Sequence, residues 1–201
     1  MDNFDLGQIC RSGQCFRMEQ TGENSYRVIA GDKYLELTQE KGIVNFFCPE
    51  EDFISFWIRY FDLDCDYQQY IERINPRDRY LTEAVKLGNG IRILQQDLWE
   101  MIITFLISQQ NNITRIKRCI ENISREFGEK KISSNGIEYY AFPTPQSLSQ
   151  AGEEQLKACN LGYRAKYVLD TARKTASGEI SLNEIRDMKY KDARRELLNL
   201  Y

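Results

Sequence analysis

The 201-residue sequence contains no histidine, and none of its six cysteines lies in a C-x-x-C pair. Histidine and closely spaced cysteines are the usual ligands of zinc and iron–sulfur centres, so we expect no metal and no cofactor. The longest apolar run, residues 101–107, is far too short to span a bilayer. The acidic N-terminus also lacks the apolar segment of a secretion signal. We therefore expect a cytoplasmic protein with reduced thiols that makes no contact with a membrane.

The composition excludes wholesale disorder, because 42% of the residues are hydrophobic and 28% are charged. The formal net charge of -3 argues at first against a nucleic-acid partner, but it is unevenly distributed. Residues 1–100 contain 11 basic and 18 acidic side chains, whereas residues 101–201 contain 16 basic and 12 acidic ones. The mildly basic second half permits an anionic partner on one side of the molecule, and the charge alone indicates nothing further.

The first part of the chain has the pattern of an antiparallel meander. Three runs rich in β-branched and aromatic residues, Ser25–Ala30, Lys33–Thr38 and Ile43–Cys48, are separated by short turn segments. An apolar stripe at helical spacing follows and predicts a helix that covers one face of the sheet: Phe53, Phe56, Trp57, Tyr60 and Phe61. The rest of the chain has helical patterns, so we predict an α+β fold with an N-terminal domain at 1–88 and a helical domain at 89–201.

Two helices of the second domain are predicted in most detail. Asp97 is a suitable N-cap for a central, buried helix at Leu98–Ser108, and a second helix begins near Asn111 or Asn112. Four isoleucines are expected to form the buried face of that second helix: Ile113, Ile116, Ile120 and Ile123. Shorter helices are predicted over the segments Tyr67–Ile74, Tyr80–Leu87, Ser147–Ala151, Glu153–Cys159 and Ala165–Thr175, and a longer one over Leu182–Leu200.

Three short segments, at residues 12–17, 108–115 and 160–167, have both a structural and a functional interpretation. Gly13 is either a simple turn or a place where a ligand approaches a backbone carbonyl closely. The amides at 109–112 cap a helix, and they also have the donors and acceptors to read a base edge. Tyr163, after the helix-ending Gly162, is either an ordinary surface residue or a wedge that fills a gap in a base stack.

In order and spacing, these segments resemble the helix-hairpin-helix DNA glycosylases of the 8-oxoguanine type. That family shares the segments S-G-Q-x-F-R, S-x-N/Q-N-N-I-x-R and G-Y-R-A-K/R-Y, and the resemblance covers essentially the whole chain. It implies an N-terminal antiparallel sheet packed by helices, of the TBP-like kind, followed by part of an all-α glycosylase domain. It also implies base-excision repair, in which 8-oxoguanine opposite cytosine is removed from duplex DNA by a glycosylase and β-lyase.

The resemblance also implies a role for individual residues. The carbonyl of Gly13 resembles the acceptor for the N7–H group that 8-oxoguanine has and guanine lacks. Tyr163 resembles the wedge, while Arg115 and Arg164 resemble the pair that grips the estranged cytosine. Gln110, where animal enzymes of this type have Asn, resembles the residue that fills the space left by the flipped base, and Asn111 and Asn112 belong to the same segment.

One part of the family pattern is not matched. The family continues past a segment like Arg195–Tyr201 into a hairpin that binds phosphate and carries the catalytic Lys, with an essential Asp shortly after it. We therefore expect no catalytic residue within residues 1–201, and apolar faces of Leu98–Ser108 and of the last helix that favour association. Two alternatives stay open: a non-catalytic fragment that binds DNA or a partner, and an alkyl-purine DNA glycosylase.

The 201-residue polypeptide is expected to show neither glycosylase nor lyase activity on an 8-oxoguanine duplex. Lys189 and Lys191 lie upstream of the position of the family's nucleophile, so neither should form a Schiff base. The measurement is borohydride trapping of a covalent protein–DNA adduct. An adduct that disappears on changing Lys189 or Lys191 would contradict this expectation.

Overall fold

A computed structural model describes residues 3–198, and the chain divides into two compact units. The first unit comprises residues 1–29 and 33–95, and the second comprises residues 30–32 and 96–201. The chain passes from the first unit to the second at Gln95–Gln96, a few residues after the predicted domain boundary at 88/89. The predicted extents of the two domains stay predictions. Among the described residues, no helix is long and apolar enough to cross a membrane.

The first unit is built on a four-stranded antiparallel sheet with the strand order β1-β2-β3-β4. The strands are β1 Met18–Gln20, β2 Ser25–Ala30, β3 Lys33–Glu40 and β4 Ile43–Phe47. Residues along β2 alternate between buried and half-buried, as expected for a strand with one face on the core. The three predicted strands and the α+β class are confirmed. The three-residue strand β1 is too short to give a pattern in the sequence and was not predicted.

The helices of the first unit are α1 Leu6–Arg11, α2, α3 Gln68–Glu72 and α4 Arg79–Gly88. Helix α2 runs through three consecutive segments, Glu50–Asp52, a π-helical turn at Phe53–Trp57, and Ile58–Tyr60. The predicted aromatic stripe is confirmed over its C-terminal part, because the side chains of Trp57, Tyr60 and Phe61 are almost fully buried. Phe46 of β4 makes edge-on ring contacts with Phe53 and Phe61, and these contacts join the helix to the sheet.

The second unit contains α5 Leu98–Ser108 and α6 Ile113–Phe127, which meet at the 109–112 corner. Then follow the hairpin β5 Lys130–Ile132 and β6 Glu138–Tyr140, and the helices α7 Pro145–Ser149 and α8 Glu153–Leu156. Helix α8 continues into a π-helical turn at Lys157–Leu161. The remaining helices are α9 Arg164–Ala176, α10 Leu182–Asp187 and α11 Tyr190–Leu198. The hairpin β5–β6 was not predicted, since its strands have only three residues each.

Two predicted helix starts are confirmed by their caps. The Asp97 carboxylate accepts from the backbone N–H of Glu100 at 3.0 Å, and the Asn112 side chain accepts from Arg115 N–H at 2.9 Å. The predicted burial of Ile113 is wrong, because its side chain is 60% exposed. Ile113 occupies the first turn of α6, while Ile116, Ile120 and Ile123 form the buried face.

The single helix predicted over Leu182–Leu200 is two helices. Met188 adopts an extended backbone conformation with ψ 151° and ends α10, and α11 begins at Tyr190. The end of the predicted helix at Leu200 lies outside the described residues. Within those residues, no cluster of three or more Cys, Asp or Glu side chains is arranged to hold a metal ion.

An apolar groove lies in the second unit between α5 and α11. Helix α5 is buried on most sides, but Met101 is 39% exposed and Phe105 is 61% exposed. The groove has a volume of about 540 Å³ and is lined by Leu98, Met101, Ile102, Phe105, Tyr190, Ala193, Arg194, Leu197 and Leu198. Apolar surface of this kind favours association in water.

We expect the 201-residue chain to self-associate through this groove. Sedimentation velocity at several concentrations should show species heavier than a monomer, and Phe105→Ser should shift the distribution toward the monomer. Leu87→Ser is the matched control, because Leu87 on α4 is 80% exposed and lies in the other unit. A monodisperse wild-type monomer, or an equal effect of both substitutions, would contradict this expectation.

Candidate nucleic-acid interface

Two loops of the second unit contain the residues that the sequence predicts to contact DNA. We call residues 109–112 the amide loop and residues 160–163 the tyrosine loop. Both contain left-handed backbone: φ is 47° at Gln110, 68° at Asn160 and 59° at Gly162. Such conformations are costly for non-glycine residues and persist only where the surroundings hold them.

The guanidinium of Arg164 holds the amide loop in place. Its Nε donates to the Gln109 carbonyl at 2.8 Å and its Nη2 to the Gln110 carbonyl at 2.9 Å, with a further contact from Nη2 to the Gln109 carbonyl. The side chain is only 4% exposed. Its Cζ lies 4.6 Å from the centroid of the Tyr163 ring, within the range of a cation–π interaction. One buried cation therefore contacts both loops.

Side chains of helix α6, which follows the amide loop, hold the tyrosine loop by donating hydrogen bonds to backbone carbonyls. Arg115 Nη2 donates to the Asn160 carbonyl at 3.3 Å, and the Cys119 thiol donates to the same oxygen at 3.3 Å. One turn further along α6, Asn122 Nδ2 donates to the Cys159 carbonyl at 3.4 Å. Burial raises the pKa of Cys119, which keeps the thiol protonated and able to donate at neutral pH.

Four side chains on or next to these loops are exposed to solvent. Tyr163 is 57% exposed and Tyr167, whose ring centroid is 6.4 Å away, is 41% exposed. Gln110 and Arg115 are also exposed. An exposed aromatic ring beside an amide and a guanidinium can stack on a base and form hydrogen bonds to a neighbouring one.

The side chains of the two asparagines in the amide loop form hydrogen bonds to backbone groups where α5 and α6 meet. Asn111 Nδ2 donates to the Ile107 carbonyl at 3.0 Å, and its Oδ1 accepts from the Asn112 N–H at 3.0 Å. Asn112 is the N-cap of α6. The structural interpretation of these amides is therefore observed, and a role of Asn111 and Asn112 in reading a base stays a prediction.

Gly13 lies in the first unit, in the turn that follows α1. Its φ of +79° is a conformation that side chains rarely adopt, and a Cβ built there would meet no atom within 4 Å. The hydroxyl of Ser12 closes the end of α1 by donating to the Ile9 carbonyl at 2.7 Å. Gly13 is exposed, so another molecule can approach its backbone closely.

Sequence reasoning missed the residues whose hydrogen bonds fix the backbone of these loops. Cys119 donates to the Asn160 carbonyl and Asn122 to the Cys159 carbonyl just before the tyrosine loop, and none of Asn160, Cys119 and Asn122 was predicted as part of the site. Asn160 did leave a signal, because an Asn just before a Leu-Gly helix end is a residue that tolerates left-handed backbone. The donors on α6 left none, since their partners are backbone atoms distant in sequence.

Comparison with known proteins gives two family matches that together cover most of the chain. Residues 1–102 match the 8-oxoguanine DNA glycosylase, N-terminal domain, and residues 103–197 match the HhH-GPD superfamily of base excision DNA repair proteins. An N-glycosylase/DNA lyase of Saccharomyces cerevisiae is 32% identical over 95% of this chain. The chain spans 56% of that yeast protein, little more than half of its length.

Solved structures agree with these matches. The chain is similar to the Clostridium acetobutylicum 8-oxoguanine glycosylase/lyase in complex with double-stranded DNA containing cytosine opposite 8-oxoguanine. The TM-score is 0.93 and the identity 37%, over all of this chain and 69% of that one. A 3-methyladenine DNA glycosylase of Archaeoglobus fulgidus, at 17% identity and a TM-score of 0.71, shares the fold. By its two family matches and these similarities, the chain belongs to the 8-oxoguanine DNA glycosylase family.

Proposed function

We propose that this chain recognises 8-oxoguanine opposite cytosine in duplex DNA, as part of a base-excision repair glycosylase and β-lyase that acts inside the cell. The observation that carries the proposal is the joined pair of loops in the second unit. Arg164 and Arg115 each donate to a carbonyl of the other loop, and Tyr163 and Gln110 of those loops are exposed.

The loops suit the task of holding a duplex open at one base pair. Extruding a base costs a few kcal/mol of stacking and pairing, which an inserted aromatic side chain offsets in part. In this proposal Tyr163 enters the stack and Gln110 fills the space that the flipped base leaves. Because both loops are fixed by hydrogen bonds before DNA arrives, little ordering entropy is lost on binding.

The base opposite the lesion is proposed to be read by Arg115 and Arg164. Cytosine without its partner presents the O2 and N3 acceptors to a guanidinium fork, which is a donor only. Arg115 is exposed and reaches the surface directly. In this structure Nε and Nη2 of Arg164 donate to carbonyls of the amide loop, and Nη1 is the donor proposed for the base.

Lesion discrimination is assigned to the first unit in the same proposal. A carbonyl acceptor at Gly13 forms a hydrogen bond with the N7–H group of 8-oxoguanine and faces the lone pair of N7 in guanine. One such hydrogen bond, formed or left unmade in a dry site, is worth roughly 1–3 kcal/mol. The left-handed backbone and open approach at Gly13 fit this role.

The proposal predicts a preference for cytosine that depends on the two arginines. The measurement is the dissociation constant of this chain for duplexes containing 8-oxoguanine opposite cytosine or adenine. Arg115→Ala should reduce the preference for cytosine by roughly 1–3 kcal/mol. Arg164→Ala should weaken binding opposite both bases, because the amide loop loses its donors, and more strongly opposite cytosine.

Lys157→Ala is the matched control for removal of a positive charge. Lys157 is exposed and forms ion pairs with Glu153 and Glu154, so its loss should leave the cytosine preference unchanged. All affinities are compared at one fixed salt concentration, since phosphate contacts depend on salt. Tighter binding of a duplex containing 3-methyladenine than of the 8-oxoguanine duplex would favour the alkyl-purine alternative instead.

A further inference from the structure

The side chain of Gln14, directly after Gly13, pairs with a neighbouring stretch of backbone. Its Oε1 accepts from the Leu94 N–H at 3.0 Å and its Nε2 donates to the Arg92 carbonyl at 2.9 Å. Nε2 also donates to the Ser12 hydroxyl at 3.0 Å. The side-chain amide thus forms the two hydrogen bonds that the N–H and C=O of one residue in a parallel strand would form with residues 92 and 94.

The backbone to which Gln14 is joined is itself held firmly. Arg92 is 4% exposed, and its guanidinium donates to the carbonyls of Asn3, Asp62 and Cys65 at 2.9, 2.8 and 2.7 Å. The Ile93 N–H donates to the Tyr67 hydroxyl at 2.9 Å. Residues 92–94 therefore form a fixed support within the first unit.

The Gly13 turn needs such a support because glycine has no side chain to hold it. Its φ of +79° is one of several conformations open to a free glycine, so its carbonyl direction is set by the neighbouring residues. Ser12 contacts both the end of α1 and the Gln14 amide. Gln14 links this turn to a segment about 80 residues away in the sequence.

We propose that Gln14 is a positioning residue that fixes the direction of the Gly13 carbonyl and thereby sets the discrimination between 8-oxoguanine and guanine. The inference rests on the proposed function. Gln14 itself touches no base in this assignment. It acts through the backbone, so its loss should impair the distinction between the two bases while sparing DNA contacts made elsewhere.

The experiment compares three duplexes in binding to the whole chain: 8-oxoguanine opposite cytosine, guanine opposite cytosine, and a tetrahydrofuran abasic site opposite cytosine. Gln14→Met keeps the length and packing of the side chain and removes its hydrogen bonds. We expect the ratio of 8-oxoguanine to guanine affinity to fall by roughly tenfold, the size of one hydrogen bond. Affinity for the tetrahydrofuran duplex, which has no base for Gly13 to contact, should stay at the wild-type value.

Gln8→Met is the matched control, because the Gln8 Oε1 accepts from the Gly90 N–H at 3.0 Å and so joins α1 to a neighbouring stretch without touching the Gly13 turn. It should leave the ratio unchanged. If Gln14→Met fails to fold, Gln14→Glu keeps the acceptor for Leu94, removes the donor to Arg92, and should lower the ratio as well.

These binding measurements test the proposed function and the role of Gln14 separately. A wild-type chain with no preference for 8-oxoguanine over guanine would overturn the proposed function. A wild-type preference that persists in a folded Gln14 variant, or that falls equally in Gln8→Met, would overturn the assignment of Gln14 alone.

Discussion

Each of the two units depends on a buried arginine whose guanidinium is bound by backbone carbonyls. Arg92 in the first unit and Arg164 in the second are each 4% exposed. Both guanidiniums donate to backbone carbonyls and lie over aromatic rings, Arg92 over Tyr67 at 4.3 Å and Phe4 at 5.9 Å, and Arg164 over Tyr163 at 4.6 Å. Burying a cation is expensive unless its donors are satisfied, so these carbonyls are held in place as firmly as the arginine is.

This arrangement explains how loops can be exposed and still rigid. Loops that act on DNA must lie at the surface, where few apolar contacts are available to hold them. The side chains that hold these loops by hydrogen bonds lie beneath the exposed residues: Arg164 and Cys119 in the second unit, and Gln14 in the first. The exposed ends, Tyr163, Gln110 and the Gly13 carbonyl, are then left for a ligand. Left-handed backbone at Gln110 and Asn160 is stable for the same reason.

The parts of the fold that could be predicted are those with a strong local pattern. The three long strands, the Trp57–Phe61 stripe and the caps at Asp97 and Asn112 all follow from residue spacing or cap chemistry. The short strands and the break at Met188 carry too few residues to show a pattern. Ile113 was assigned to the wrong face because the first residue of a helix fits the spacing without facing the core.

The candidate site could be predicted only in part, namely the residues of its motifs and not the residues that hold them. Its residues lie in recognisable segments, so Gly13, Gln110, Arg115, Tyr163 and Arg164 could be named from the sequence. Their supports could not, since a side chain that binds a distant backbone carbonyl leaves no spacing to recognise. The burial of Arg164 belongs to this group: its motif predicted a base reader, and the structure shows its donors on the amide loop.

The proposed function depends on the tyrosine loop opening the base stack at the lesion. Its most direct test is the fluorescence of 2-aminopurine placed beside 8-oxoguanine in a duplex with cytosine opposite the lesion, with the chain at saturation. Unstacking raises this fluorescence, so the account predicts an increase with the wild-type chain, little increase with Tyr163→Ala, and none with the undamaged duplex. No increase with the wild-type chain at saturation, or an equal increase with Tyr163→Ala, would contradict it.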